Sequence, residues 1–228
     1  MRKWLLLCGL VLAISCGRDD TLLRGERTMA DIRDGVLTTD NGLTYHIAED
    51  ETSTEWKSWN RTFITCDILR QRSEKAFDIR LTEAHSVLRK EVVAEGAIPD
   101  ETLGDDPIQI TSGWVSGGYI NLLLRVVFRP EDEPHLINLV RLPDASGTTV
   151  RLRLRHNSHG DYYGAPGVEP PLSFGIAYVS FPVPSDLPEA DGADGTQVEI
   201  RYRWHLTDGN GNLLPETEEK SLTGRIPR

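Results

Sequence analysis

The sequence predicts an all-β chain: a compact barrel followed by an antiparallel β-sandwich, behind an N-terminal export segment. Three observations carry this. Val150, Leu152 and Leu154 alternate with Arg151, Arg153 and Arg155, and a period of two marks a strand with one buried face. Val198, Ile200, Tyr202 and Trp204 alternate in the same way with Glu199, Arg201, Arg203 and His205. Between such runs lie clusters of Gly, Pro, Asn and Asp, the residues that punctuate short strands.

The 228 residues leave room for one large β domain or two small ones. Formal net charge is -10. The first fifteen residues hold Arg2 and Lys3 but no acid, so without them the balance is about -12. So acidic a chain does not suit nucleic acid, whose phosphates need a basic surface. Of three cysteines, Cys8 lies in the N-terminal apolar run and Cys16 closes it. Cys66 alone is left for the fold, which excludes an internal disulfide and a cysteine zinc site there.

Met1-Arg2-Lys3 is a positive start, and Trp4 to Ile14 is apolar apart from Gly9. The run is too short for a spanning helix of about 20 residues and reads as a signal peptide. Ala13-Ile14-Ser15-Cys16 resembles the lipobox of bacterial lipoproteins, with Ala13 where leucine is usual. The resemblance implies that residues 1–15 are cleaved and that Cys16 carries the lipid. Each buried methylene then contributes about 0.8 kcal/mol to anchoring. Gly17-Arg18-Asp19-Asp20 resembles the surface-export tag of some outer-membrane lipoproteins, the alternative being an anchor that faces the periplasm. Residues 16–32 are expected to form a lipidated, polar tether.

Residues 33–96 are expected to form the barrel. Asp34 to Ile47 reads as strand, turn, strand, with Asn41-Gly42 as the hairpin turn whose two central residues both need positive φ. Arg61 to Leu69 alternates, with Ile64, Cys66 and Ile68 on the more apolar face, so Cys66 belongs to the core and is inert. Ala76 to Leu81 is a fourth strand. Glu83 to Val93 fits a helical turn or a strand. Trp56 and Trp59 read as a lid on the barrel, or else as a stacking platform for a sugar or peptide.

Residues 97–106 carry Pro99, Gly104 and several acids and read as a linker. The sandwich follows to residue 206, with a tail at 207–228. Ile120, Leu122, Leu124, Val126 and Phe128 form one apolar face. The opposite face is mixed, as in a central strand. His135 to Val140, the anchor strand at 150–155, Ile176 to Phe181 and Val198 to His205 complete the pattern.

These residues are similar to the NigD-like lipoproteins. The resemblance runs through Gly42-Leu43-Thr44-Tyr45 and Asp78-Ile79-Arg80-Leu81. It continues in Asp106-Pro107-Ile108, Trp114, Gly117-Gly118-Tyr119-Ile120-Asn121 and His135 to Val140. Leu154-Arg155-His156-Asn157, Gly160-Asp161 and Val179-Ser180-Phe181 close it. It covers nearly the whole mature chain and implies an OB-type barrel before the sandwich. The family has no assigned activity, and its founding member's link to a bacteriocin operon implies immunity as one role.

No motif announces catalysis or a cofactor. There is no nucleophile elbow and no phosphate-cradling glycine loop. His156, His159 and Asp161 offer metal-ligand chemistry, but their spacing fits a turn that satisfies its own backbone. Asp208-Gly209-Asn210-Gly211-Asn212 has calcium-loop spacing, yet its sixth position is Leu213 where that loop needs glycine. The candidate ligand-binding residues are Arg151, Arg153, Arg155, Arg201 and Arg203. Alternate residues lie about 7 Å apart, so neighbouring strands would merge them into one basic stripe. It would face an anionic glycan, lipid or protein, unless cross-strand acids pair it.

The expected function is a non-catalytic lipoprotein with a binding or accessory role, anchored through Cys16 at the bacterial outer membrane. Toxin immunity and, more distantly, a glycan-active enzyme are the alternatives.

Overall fold

The computed structural model describes residues 21–127, 129, 133–143, 148–187 and 195–227. Five strands close into the expected barrel: β1 (Leu23–Arg33), β2 (Val36–Thr39), β3 (Thr44–Asp50), β4 (Arg61–Ser73) and β5 (Ala76–Arg89). β1 pairs with β2 and β4, β2 with β3, and β4 with β5, all antiparallel. A parallel β3–β5 ladder completes the ring, which is OB-type closure. Gly42 takes φ +79° in the β2–β3 turn but Asn41 does not take positive φ. The connection runs through residues 40–43, so it is a longer turn closing on a glycine rather than the expected two-residue Asn-Gly hairpin.

Ile64, Cys66 and Ile68 point inward with Leu37, Tyr45, Ile79 and Leu81. Burial pushes the Cys66 thiol up to about 12, so it stays protonated and inert. Trp56 is buried in the same core, and its indole N–H donates to Asp50 at 2.8 Å. With Trp59 packed beside it, the pair closes the barrel; the Trp56 ring is not an exposed platform.

The tether is shorter than residues 16–32. Leu23–Arg33 is a strand despite its polar sequence, because pairing with β2 and β4 uses backbone groups. Only its second half contributes core residues, Ala30 and Ile32. The segment after Leu81 is likewise strand: β5 runs on to Arg89, and β6 follows at Val93–Ala94.

A four-residue helix α1 (Asp100–Leu103) then leads to β7 (Gln109–Ser116), β8 (Tyr119–Val127), β9 (Leu136–Arg141), β10 (Thr149–Asn157), β11 (Phe174–Pro182), β12 (Thr196–Thr207) and β13 (Leu213–Ile226). β13 corrects the expected tail at 207–228. It pairs with β12 along its length and sends Ile226 into the core. As an outer strand it carries Glu216, Glu218, Glu219 and Lys220, charges that discourage further strand pairing. The sheet β13-β12-β10-β9-β6 faces β11-β8-β7. Ile120, Leu122 and Leu124 pack there with Leu152, Leu154, Val198 and Ile200. Sandwich pairing is antiparallel except at β10–β12 and β6–β9.

Barrel and sandwich share a sheet. β5 and β11 pair in parallel through Val87↔Tyr178, Leu88↔Val179 and Arg89↔Ser180, giving the order β3-β2-β1-β4-β5-β11-β8-β7. The chain crosses through residues 97–106, but the sheet crosses elsewhere.

Beneath this junction lies Arg61, 1% exposed. Its Nε donates to Ser180 Oγ at 3.0 Å, and Ser180 donates to Asn121 Oδ1 at 2.6 Å. Asn121 Nδ2 donates to Ser116 Oγ at 3.0 Å, and Ser116 donates to Asp40. Arg61 Nη2 closes the ring on Asp40 at 2.9 Å, while Nη1 binds Asp31 at 2.8 Å. The Tyr119 ring caps the guanidinium at 4.1 Å. Burial by itself would lower the Arg61 pKa, but the bonds to Asp40 and Asp31 outweigh it and raise it. Gly117, at φ +58°, lets the β7–β8 turn approach, since a Cβ there would lie 2.5 Å from Asp40 Oδ1.

Arg61→Ala leaves Asp40, Asn121 and Ser180 buried with unmatched groups, at a cost of about 3–5 kcal/mol. Urea denaturation followed by tryptophan fluorescence should show that loss as a lower midpoint at similar slope. A loss under about 1 kcal/mol, the value of a surface pair, would contradict the ring's structural role.

Candidate functional site

Cys16 lies outside the described residues. Arg151, Arg153 and Arg155 stand on β10 and Arg201 and Arg203 on β12, and the register Arg153↔Arg201 sets the two rows side by side. The stripe exists, but acids lie within it. Arg153 is 2.9 Å from Asp105 and 3.7 Å from Glu219. Arg155 reaches Asp100 at 3.1 Å and donates to the Gly104 carbonyl. Arg201 lies 3.2 Å from Glu199 and 3.7 Å from Glu219, and Arg203 is 3.6 Å from Asp105. Arg151 faces Glu199 across the ladder. The stripe is therefore a mixed-charge surface, in which arginines alternate with acids, rather than an unbroken basic row. Asp100 and Asp105 arrive from around α1, some fifty positions upstream, and nothing local to β10 announces them.

The loop after β10 is likewise engaged with itself. Ser158, fully buried, donates its backbone N–H and its hydroxyl to Asp106 at 2.9 and 2.7 Å. Asp161 accepts the Arg129 backbone N–H at 2.8 Å and Nε at 2.7 Å. His135 Nε2 lies 3.2 Å from Asp161, His135 Nδ1 lies 3.0 Å from His156 Nε2, and His156 Nδ1 lies 3.1 Å from the Pro107 carbonyl. The Pro107 carbonyl only accepts, and burial holds His156 down to about 4, so its ring is neutral, with the proton on Nδ1 toward Pro107 and Nε2 left as an acceptor toward His135. Among the described residues no group of His, Cys, Asp and Glu has a metal-binding arrangement. Asp208 accepts backbone N–H groups of Asn210 and Asn212 at 2.9 and 2.8 Å, forming the β12–β13 turn rather than a calcium loop.

A site that strand patterning does not announce lies on the outer face of the shared sheet. Phe63 on β4 and Tyr178 on β11 stack at 4.6 Å with planes 14° apart, and His85 on β5 lies 5.5 Å from Tyr178. Ile176 beside them is 65% exposed and Leu88 42%. Trp59, Leu88, Arg89, Ile176 and Tyr178 line a shallow hollow of about 500 Å³. Across Phe63, a groove of about 470 Å³ runs to Trp114 and Arg27 above Asp40. The Arg61 ring holds the strands beneath it, so the aromatic residues form a rigid, partly apolar platform suited to binding. Phe63 on the solvent face of β4 is the one local signal; Tyr178 comes from far along the chain.

The model of the NigD-like C-terminal β-sandwich domain matches residues 91–210. No curated protein matches the chain. Several solved structures are similar. The DUF1344 protein from Bacteroides vulgatus is 20% identical, with 89% of this chain and 90% of that one covered and a TM-score of 0.62. A NigD-like immunity protein from Bacteroides caccae is 19% identical over 87% and 92%, with a TM-score of 0.54. A chain from Bacteroides fragilis, provisionally described as a lipoprotein, is 13% identical over 88% and 97%, with a TM-score of 0.57. At these identities the likeness is one of fold.

The histidines make stability depend on pH. Burial lowers both His156, to about 4, and His205, whereas an unfolded histidine titrates near 6.5. Between those values the unfolded chain takes up protons that the folded chain refuses. Stability is therefore full above about pH 6.5 and declines toward pH 4. Thermal melts across this window should show Tm falling with pH, and His156→Asn, though less stable at pH 7, should give a flatter profile. An equal slope in the variant would remove His156 from the account.

Proposed function

The chain belongs to the NigD-like family, and on that premise we propose that it is a non-catalytic lipoprotein with a binding or accessory role at the bacterial outer membrane. The observation that carries the binding role is the stacked Phe63–Tyr178 pair with exposed Ile176 on the shared sheet. Half-buried aromatic rings beside exposed aliphatic side chains on one sheet face are what a partner surface buries. The non-catalytic reading is supported by the state of the candidate groups. Ser158, His156 and Asp161 are each no more than 1% exposed and bound to one another's neighbours, out of reach of a substrate. Anchorage is supported by the lipobox-like Ala13-Ile14-Ser15-Cys16 and by the likeness to the Bacteroides fragilis chain. Among the described residues no helix is long and apolar enough to cross a membrane. Immunity to a secreted toxin is a second reading, favoured by the likeness to the Bacteroides caccae protein; it would use the same face.

Two measurements test this reading. Cys16→Ala should move the protein from the membrane to the soluble fraction and remove the acyl mass; unchanged fractionation would refute the anchor. A photo-reactive residue at position 176 should capture discrete species in intact cells, and one at position 216 on β13 should not. Identical products from both positions, or none from 176, would defeat the binding role. A secreted toxin among the captured species would favour immunity.

A further inference from the structure

Towards the other end of β8 from Asn121 lies a further cavity, of about 490 Å³, within the roughly 300–1,000 Å³ range of small-molecule sites. Its central cation is Arg125. The guanidinium carbon sits 3.7 Å from the centre of the Phe174 ring, so one face of the group is covered and its in-plane N–H donors stay available. The arginines of the β10–β12 stripe lie among carboxylates: Arg153 and Arg203 share Asp105, and Arg201 has Glu199. Arg125 differs. Among the described residues no carboxylate stands within ion-pair distance of it, and no acidic side chain lines the cavity. In a chain of net charge -10 the cavity thus offers Arg125 without a competing acid in its walls.

The remaining walls define what such a cation would hold. Lys220 adds a second positive group at the cavity, 3.3 Å from Glu218. Gln109 lies directly across the β7–β8 ladder from Arg125, and Asn212 adds another amide. Tyr163 and Trp204 supply aromatic surface. A planar guanidinium edge suits a carboxylate bound through two N–H groups. Amides suit hydroxyl groups, which need both donors and acceptors, and aromatic rings suit the C–H face of a small ring. We propose that this cavity binds a sugar acid, a pyranose bearing a carboxylate, with the carboxylate on Arg125 and the hydroxyls on Gln109 and Asn212. The inference rests on reading the chain as a binding protein, at a place separate from the aromatic face.

The test uses the full lipidated chain in detergent, titrated with galacturonate and, as the neutral match, galactose. Galacturonate is expected to bind saturably and at least about tenfold more tightly than galactose, since the bond to Arg125 is charge-assisted. Arg125→Gln should remove about that factor and leave galactose unaffected. Should that variant fold poorly in a thermal melt, Lys220→Gln serves instead. It should weaken galacturonate about two- to threefold and flatten the salt dependence. Absence of saturable binding, equal affinity for galactose, or full affinity in Arg125→Gln would overturn the proposal. Each of these outcomes leaves cross-linking at position 176 unchanged if only the cavity is misassigned; loss of both would remove the binding role itself.

Discussion

The buried guanidinium of Arg61 is the constraint on which the two-part architecture depends. A charge that is 1% exposed is tolerated only when it is paired and hydrogen-bonded. Here the partners come from both halves: Asp31 and Asp40 from the barrel, Ser180 and Asn121 from the sandwich. Breaking a buried pair costs several kcal/mol, whereas an exposed pair contributes about 0–1 kcal/mol. The ring thus outweighs any of the surface ion pairs as a determinant of how the halves sit. It also explains the close approach of Gly117 to Asp40, since a side chain there would displace the carboxylate that Arg61 requires.

β5 is the mechanical counterpart of that ring. Its first half closes the barrel against β3, and its last residues pair with β11. Fourteen residues span roughly 46 Å at about 3.3 Å each, enough to serve both. Register shifts between β4 and β5 at Thr65/Cys66, Ile68/Arg70 and Gln71/Ser73 supply the bending that barrel closure demands. The consequence is an outer surface that passes from barrel to sandwich without a break. Phe63, His85 and Tyr178 meet there although each belongs to a different strand, and that meeting makes a binding face out of residues that are ordinary one by one.

Charge is distributed by the same logic. The stripe on β10 and β12 is matched by Asp100, Asp105, Glu199 and Glu219, so it solvates the sheet more than it attracts anions. The relay from Asp161 through His135 and His156 to Pro107 fastens the loop after β10 to the segment entering β7. Its polar groups are consumed in doing so. Arg125 stands apart, stacked on Phe174 and clear of acids. Chemically available groups in this fold are those that the packing leaves unmatched, and they are not the ones most prominent in the sequence.

Much of the fold was legible in the sequence because strand burial has a period of two. The alternation at 150–155 and 198–204, the Asn41-Gly42 turn and the inward face of Ile64, Cys66 and Ile68 depend on local chemistry, which the chain order displays. β1 and β13 were not legible, since their pairing rests on backbone hydrogen bonds to strands already formed and their polar side chains carry little pattern. The site was less legible still. The sequence determines that five arginines lie on solvent-facing strand positions; whether acids meet them depends on where residues 100–105 fold back. Likewise, which residues stack on Tyr178, which carboxylates surround Arg61 and which ring covers Arg125 are contacts between positions 20 to 120 residues apart. Only tertiary structure decides these, because electrostatics and stacking act through space over a few ångströms, and chain order does not encode that distance.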